Sequence, residues 1–187
     1  MPTVGILSLQ GGFHRHIQML HHAGVTAVAV RSPEELAQVE GLVIPGGEST
    51  TIGMLMERAS LIDPLRERIN RGMPVMGTCA GAILLAKDIE ESTQIRLGTL
   101  PISVSRNAYG RQIASFEASL HLQGEEQPFV GVFIRAPQIT AVAEDVEVVA
   151  EFEGKPVMVR YKNTIALTFH PELTGDSRIH RNFLQLF

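Results

Sequence analysis

One cysteine is all that this 187-residue chain contains, and a single thiol cannot close an internal disulfide. Cys79 is therefore either a packed small hydrophobe or a reagent. Basic runs are missing too. Sixteen Lys and Arg stand against twenty Asp and Glu, a net charge of −4, and no segment offers the row of cations that neutralises nucleic-acid phosphates. Nucleic acid is not an expected partner. No stretch approaches the roughly 18 consecutive apolar residues that would span a bilayer, and the opening MPTVGILSLQGG has no basic leader. The expectation is a cytoplasmic protein with no membrane partner. The lone cysteine and the scattered histidines lack metal-ligand spacing, so neither a metal nor a cofactor is expected.

What is present is an alternating pattern. TVGILSL (3–9), VTAVAVR (25–31), GLVIPGG (41–47) and PVMGT (74–78) read as short buried strands. Between them, GFHRHIQMLHHA places Phe13, Ile17 and Leu20 at helical spacing, and STTIGMLMERA and LIDPLRERINRG read as further helices. Strand alternating with helix predicts a parallel sheet covered on both faces. Beyond about residue 95 the rhythm changes to strands separated by turns: GTLPISVSR, SFEASLHL, FVGVFIRA, ITAVA, VEVVAEFE, PVMVRYK and TIALTFH. These are expected to pair directly, some of them antiparallel. The closing DSRIHRNFLQLF has Asp176 as a helix cap and Ile179, Phe183 and Leu186 on one face. With no repeat or linker in view, residues 1–187 read as a single α/β domain, a three-layer sandwich with a mixed, mostly parallel central sheet.

Cys79 stands in PVMGTCAGAILLA, where a strand runs straight into the helical AGAILLAKD through G-x-C-x-G. This is the cysteine counterpart of a nucleophile elbow, whose glycines are needed because any Cβ would collide with neighbouring backbone. A thiol at a helix N-terminus is also favoured as thiolate. Taken alone, the motif is equally compatible with a packed cysteine in a turn. A nucleophile needs a base, and the base needs an orienting partner. TFHPEL supplies both, with His170 and Glu172 two residues apart at the end of an apolar strand, on one face if extended, and Pro171 stiffening the link. The other six histidines, His14, His16, His21, His22, His121 and His180, lack a comparable local carboxylate and read as surface or packing residues. An oxyanion would need fixed N–H donors. Ala80, next after the nucleophile, and Gly47 in PGGEST (45–50) are the candidates, since PGGEST lacks the lysine and spacing of a phosphate loop.

Six segments together resemble the class I, triad-type glutamine amidotransferases, and within them the glutaminase subunits of pyridoxal 5'-phosphate synthases. They are GILSLQG (5–11), PGGESTTIG (45–53), GTCAGAILLA (77–86), SVSRNAYGRQIASFE (103–117), VFIRAP (132–137) and FHPELT (169–174). GTCAG and HPE mark the broad class; RNAYGRQ and FIRAP single out the branch. The resemblance implies hydrolysis of L-glutamine to glutamate and ammonia through a thioester, with Cys79 as nucleophile, His170 as base and then acid, and Glu172 as its orienting partner. It implies that glutamine is held by Gly47, Glu48, Ser49 and Arg106 and by the backbone around Ile134 and Arg135. It implies as partner a pyridoxal 5'-phosphate synthase subunit, a (β/α)₈ barrel in a ring-shaped oligomer, that receives the ammonia. Two alternatives are a glutaminase subunit of another synthase, such as that making imidazole glycerol phosphate, and a catalytically silent docking subunit of the same fold. One departure is visible: Arg15 stands where the family often has a glutamate just before the histidine matching His16.

Overall fold

The structure, a computed structural model, describes residues 1–106 and 115–187. Of RNAYGRQ only Arg106 falls within them; Asn107 to Gln112 lie outside the described residues.

Five strands build the centre, all but the edge strand β2 buried or nearly so: β1 (Thr3–Leu7), β2 (Thr26–Val30), β3 (Gly41–Ile44), β4 (Val75–Thr78) and β12 (Thr164–Leu167). They run parallel in the spatial order β12, β4, β3, β1, β2. β11 (Lys155–Tyr161) and β10 (Glu147–Phe152) extend the β12 edge antiparallel, completing a seven-stranded sheet. The expected mixed, mostly parallel sheet is what forms. Parallel strands are joined by helices that return over the sheet, so both sheet faces are covered and the strands need apolar residues at successive positions.

Alternation sorts those residues. Leu42 and Ile44 join one apolar cluster while Val43 joins the other; likewise Val75 against Met76, and Ala166 against Ile165 and Leu167. The first cluster is closed by α2 (Pro33–Ala37), α3 (Ser49–Arg58), α4 (Ile62–Asn70) and α5 (Ala80–Leu85), through Leu36, Ile52, Met56, Leu65, Ile69 and Leu84. It also takes in a small sheet of β5 (Ala86–Ile89), β6 (Leu100–Ser105) and β9 (Gln138–Val142). The second cluster is closed by α1 (Phe13–His22), α6 (Arg178–Leu184) and the hairpin of β7 (Ser115–Leu120) with β8 (Phe129–Ile134). Arg178 ties α6 to that hairpin by donating to the carbonyls of Gln127 at 2.7 Å and Pro128 at 2.8 Å.

Three local expectations need correction. AGAILLAKD is helical only through Leu85; Ala86 turns to φ −57°, ψ 141°, and Ala86–Ile89 pairs with β6 as a strand. Every residue of α5 is buried, so its apolar run carries no helical period that would mark its end. Asp176 is not the N-cap residue of α6, which is Ser177, although Asp176 Oδ1 does accept from the Arg178 N–H at 3.0 Å. Residues 171–173 form a 3₁₀ turn after β12 rather than extended chain, as Pro171 at its first position favours.

Phe133 is the hub of the second cluster: fully buried, stacked on Phe116 with ring centroids 4.6 Å apart, and flanked by Phe152 and Phe169. Phe133→Ala is expected to cost about 3–5 kcal/mol in urea denaturation. A change near zero would mean that this aromatic group does not hold the hairpin to the sheet.

Candidate active site

The carboxyl ends of neighbouring parallel strands lie side by side, and the crevice beyond them is where open α/β sheets place ligands. Here the order β12, β4, β3, β1 brings together the segments that follow them: His170 to Glu172, Cys79, Gly46 to Ser49, and Gln10 to Gly12. Residues far apart in the chain thus become neighbours through strand order alone.

Cys79 occupies the turn between β4 and α5 with φ 49° and ψ −102°, a left-handed conformation that costs a non-glycine residue about 1–3 kcal/mol. Two features hold it there. Its N–H donates to the Leu167 carbonyl at 2.8 Å, and its own carbonyl accepts from Ile83 at 3.2 Å. The flanking glycines make the bend possible: a Cβ on Gly81 would lie 2.1 Å from the Ile44 carbonyl oxygen, and one on Gly77 would lie 2.7 Å from the Gly81 carbonyl carbon. The expected collision with backbone is therefore real at both positions. Sγ lies 3.8 Å from the Ile134 carbonyl oxygen, and the residue is 7% exposed.

His170 is anchored by its N–H to the Val132 carbonyl at 2.8 Å. Its Nδ1 meets Glu172 Oε1 at 2.7 Å, and the Cys79 side chain is close enough to favour the charged form of the ring. The three residues singled out by type are therefore contiguous. The two that are near in sequence meet across a 3₁₀ turn, not along an extended strand. Burial opposes charging the His170 ring, but the neighbouring Cys79 and Glu172 side chains outweigh burial and push its pKa up to about 10. Burial likewise opposes charging Glu172, yet the His170 bond and the nearby rings of His16 and His170 hold its carboxyl below the usual range.

Gly46 sits against this group, since a Cβ there would lie 2.5 Å from His170 Cε1 and 3.5 Å from Cys79 Cβ. Its carbonyl accepts from Gly12 N–H at 2.9 Å. In a trans peptide that turns the Gly47 N–H away from Gly12. Glu48 is exposed and donates its N–H to Gln10 Oε1 at 2.9 Å. Ala80 begins α5, where the helix's own bonds leave its N–H unused. Ser49 Oγ donates to Gln94 Oε1 at 3.3 Å, and Arg106 donates to Thr50 Oγ1 at 2.9 Å and to the same Gln94 oxygen. Ile134 ends β8 and Arg135 follows it with φ 45°. Gln94, which organises the Ser49–Arg106 side, carries no motif that would mark it in the sequence; Gln10, which holds the Gly47–Glu48 loop, lies inside GILSLQG, but nothing in that segment marks its role. Among the described residues no group of His, Cys, Asp and Glu forms a metal site.

This arrangement can be set beside known proteins. The model of the SNO glutamine amidotransferase family matches residues 6–187. The chain belongs to that family. It is 51% identical to the pyridoxal 5'-phosphate synthase subunit PdxT of Carboxydothermus hydrogenoformans, over 97% of this chain and 96% of the relative. It is 52% identical to the subunit of the same name from Desulforudis audaxviator, over 98% of each. A crystal structure described as a glutamine amidotransferase superposes with a TM-score of 0.94 at 48% identity, covering 98% of this chain and 97% of the other. PurLQS from Thermotoga maritima shares the fold alone, with a TM-score of 0.74 at 18% identity over 98% of both chains. This family member has, among its described residues, no helix long and apolar enough to cross a membrane.

The site's histidines pull stability in opposite directions with pH. His170 binds its proton more tightly when folded, so its contribution is complete below the ordinary value of 6.5 and is lost as the pH rises towards about 10. His16 and His180, lowered by burial, contribute fully above 6.5 and lose that contribution as the pH falls, for His180 down to about 3. Urea denaturation across pH is expected to show stability declining on both limbs, with His170→Asn flattening the alkaline one. An alkaline limb unchanged in that variant would contradict a charged His170.

Proposed function

We propose that this chain is the glutaminase subunit of a pyridoxal 5'-phosphate synthase, hydrolysing the side-chain amide of L-glutamine and handing the ammonia to a separate synthase subunit. The observation that carries the chemistry is the His170–Glu172 hydrogen bond with the Cys79 side chain beside the same ring, both against Gly46. The names of its relatives at about half identity support the pathway.

A protonated His170 held between Glu172 and the sulfur is the setting in which Cys79 acts as a thiolate. The thiolate adds to the amide carbon, and the oxygen takes up negative charge facing the N–H groups of Gly47 and Ala80. When the tetrahedral adduct collapses, the C–N bond breaks and His170 gives its proton to the departing nitrogen, releasing ammonia and leaving a thioester. His170, now neutral, takes a proton from water as the water attacks, and glutamate leaves with the thiolate restored. Glu172 stays ionised throughout and keeps the ring's Nδ1–H directed at itself. Free glutamine is a zwitterion, so its pocket needs donors for a carboxylate and acceptors for an ammonium. Arg106 and Ser49 supply the first, Glu48 and the backbone around Ile134 and Arg135 the second.

Ammonia set free in neutral water becomes ammonium and stops being a nucleophile, so its release has to be coupled to a sheltered acceptor. That acceptor is a (β/α)₈ synthase assembled as a ring, with the pair working in the cytoplasm. The Gly46 carbonyl is latched to Gly12, and Gly47 neighbours Gln10 and Gly11. A subunit docking near that turn therefore acts directly on one oxyanion donor. A silent docking subunit would have no use for an ionised carboxylate only 4% exposed and bonded to a histidine.

Steady-state glutamate release is expected to rise clearly when the synthase is added, and Cys79→Ala is expected to lower it by roughly 1000-fold or more while circular dichroism and docking are unchanged. Equal rates with and without the synthase would count against coupling; turnover surviving in Cys79→Ala would remove the thiol from the chemistry.

A further inference from the structure

Behind Glu172 lies a second, fully buried pair of histidines that the hydrolysis does not use. His16 on α1 and His180 on α6 are each 0% exposed. His16 Nδ1 lies 3.1 Å from His180 Nε2. On its other edge, His16 Nε2 lies 3.2 Å from Thr78 Oγ1 and 3.4 Å from Glu172 Oε2. Oε2 of Glu172 is buried without a hydrogen bond of ordinary geometry, and so is Nδ1 of His180.

We infer that His16 is a positioning residue for the Cys79–His170–Glu172 group, a neutral imidazole whose Nε2–H faces the second carboxylate oxygen and fixes the plane in which Glu172 holds His170. The inference rests on the reading of those three residues as the catalytic group. Counting protons supports it. An ionised carboxylate only accepts, so the atom facing Oε2 has to be a donor, and His16 carries its proton on Nε2. Its Nδ1 is then an acceptor and takes the Nε2–H of His180. That leaves His180 Nδ1 as a bare lone pair, the cheaper kind of orphan, and His180 Nδ1 is the atom without a partner. The reverse order would set the His16 Nε2 lone pair against a carboxylate and strand an N–H in the core.

Charge points the same way. The titratable groups acting on His16 are Glu172 and His170, with His180 at its other edge. Glu172 and a protonated His170 already neutralise each other, and a second buried cation would have no counter-ion. Burial, opposed by Glu172 and assisted by His170, keeps His16 in its neutral form. Thr78, the residue just before Cys79, shares the same Nε2–H, so one ring touches both the carboxylate's free oxygen and the strand end that bears the nucleophile.

The test reads Cys79 itself: the pH profile of its alkylation by iodoacetamide in the full chain, alongside kcat and KM for glutamine in the synthase complex. His16→Leu removes a donor to the carboxylate, which therefore protonates at higher pH. The acid limb of alkylation is expected to move up by about one pH unit, with kcat falling about tenfold and KM little changed. His16→Gln, whose amide can donate to Oε2, restores both. If Glu172→Gln and His170→Asn move the alkylation profile while a folded His16→Leu does not, the positioning role is wrong and the triad stands. If none of the three moves it, both readings fall. Should His16→Leu not fold, nitrogen-15 NMR of the wild-type histidine rings decides at neutral pH. A neutral His16 protonated on Nε2 is expected; one protonated on Nδ1 overturns the proposal.

Discussion

A carboxylate almost shut off from water, 2.7 Å from a histidine ring, is the constraint on which this molecule turns. An isolated buried charge is costly, and it persists only where partners compensate it. Glu172 has His170 on one oxygen and the buried ring of His16 facing the other. His170 in turn draws its charge from lying between that carboxylate and the Cys79 side chain. Each group is what makes the state of its neighbour tolerable, so removing one changes the chemistry of the rest.

The fold serves that constraint through strand order. Four parallel strands end side by side, and each ending contributes one part: the acid and imidazole after β12, the thiol after β4, the glycine loop after β3, the glutamine that holds the loop after β1. Close approach of these endings depends on absent side chains. The carbonyl of Ile44 presses on Gly81, and His170 presses on Gly46, so the site is as much a matter of where Cβ atoms are missing as of where reactive atoms stand. Helices α1 and α6 complete it from the opposite cluster, each turning one buried histidine inward.

Much of this was legible in the sequence, for reasons that can be named. The parallel core announced itself because β3, β4 and β12 are buried at every position, and short apolar runs between helical patterns leave few other architectures. The thiol, imidazole and carboxylate stood out by type and by their turns. What stayed hidden depends on tertiary context. The end of α5 at Leu85 could not be read because an all-round apolar segment has no face to lose. Gln94 acts through a single oxygen on a loop and leaves no pattern, and Gln10 does the same from inside GILSLQG without that segment showing what it holds. His16 and His180, read as surface or packing residues, are indeed packed, but around the site and not away from it. A signal for His16 did exist: with Phe13, Ile17 and Leu20 it lies at helical spacing on one face, and Leu20 is fully buried, while the unusual Arg15 points outward into solvent. A polar residue on an apolar stripe needs a partner, and its partner here is 164 residues away.

The most direct measurement is covalent trapping. Incubated with a diazoketone analogue of glutamine in the presence of the synthase and mapped by mass spectrometry, the chain should acquire one adduct, on Cys79, prevented by excess glutamine and lost in His170→Asn. An untouched Cys79, or a glutamine-protected adduct on any other residue, would contradict the proposed chemistry of Cys79 with His170 and Glu172.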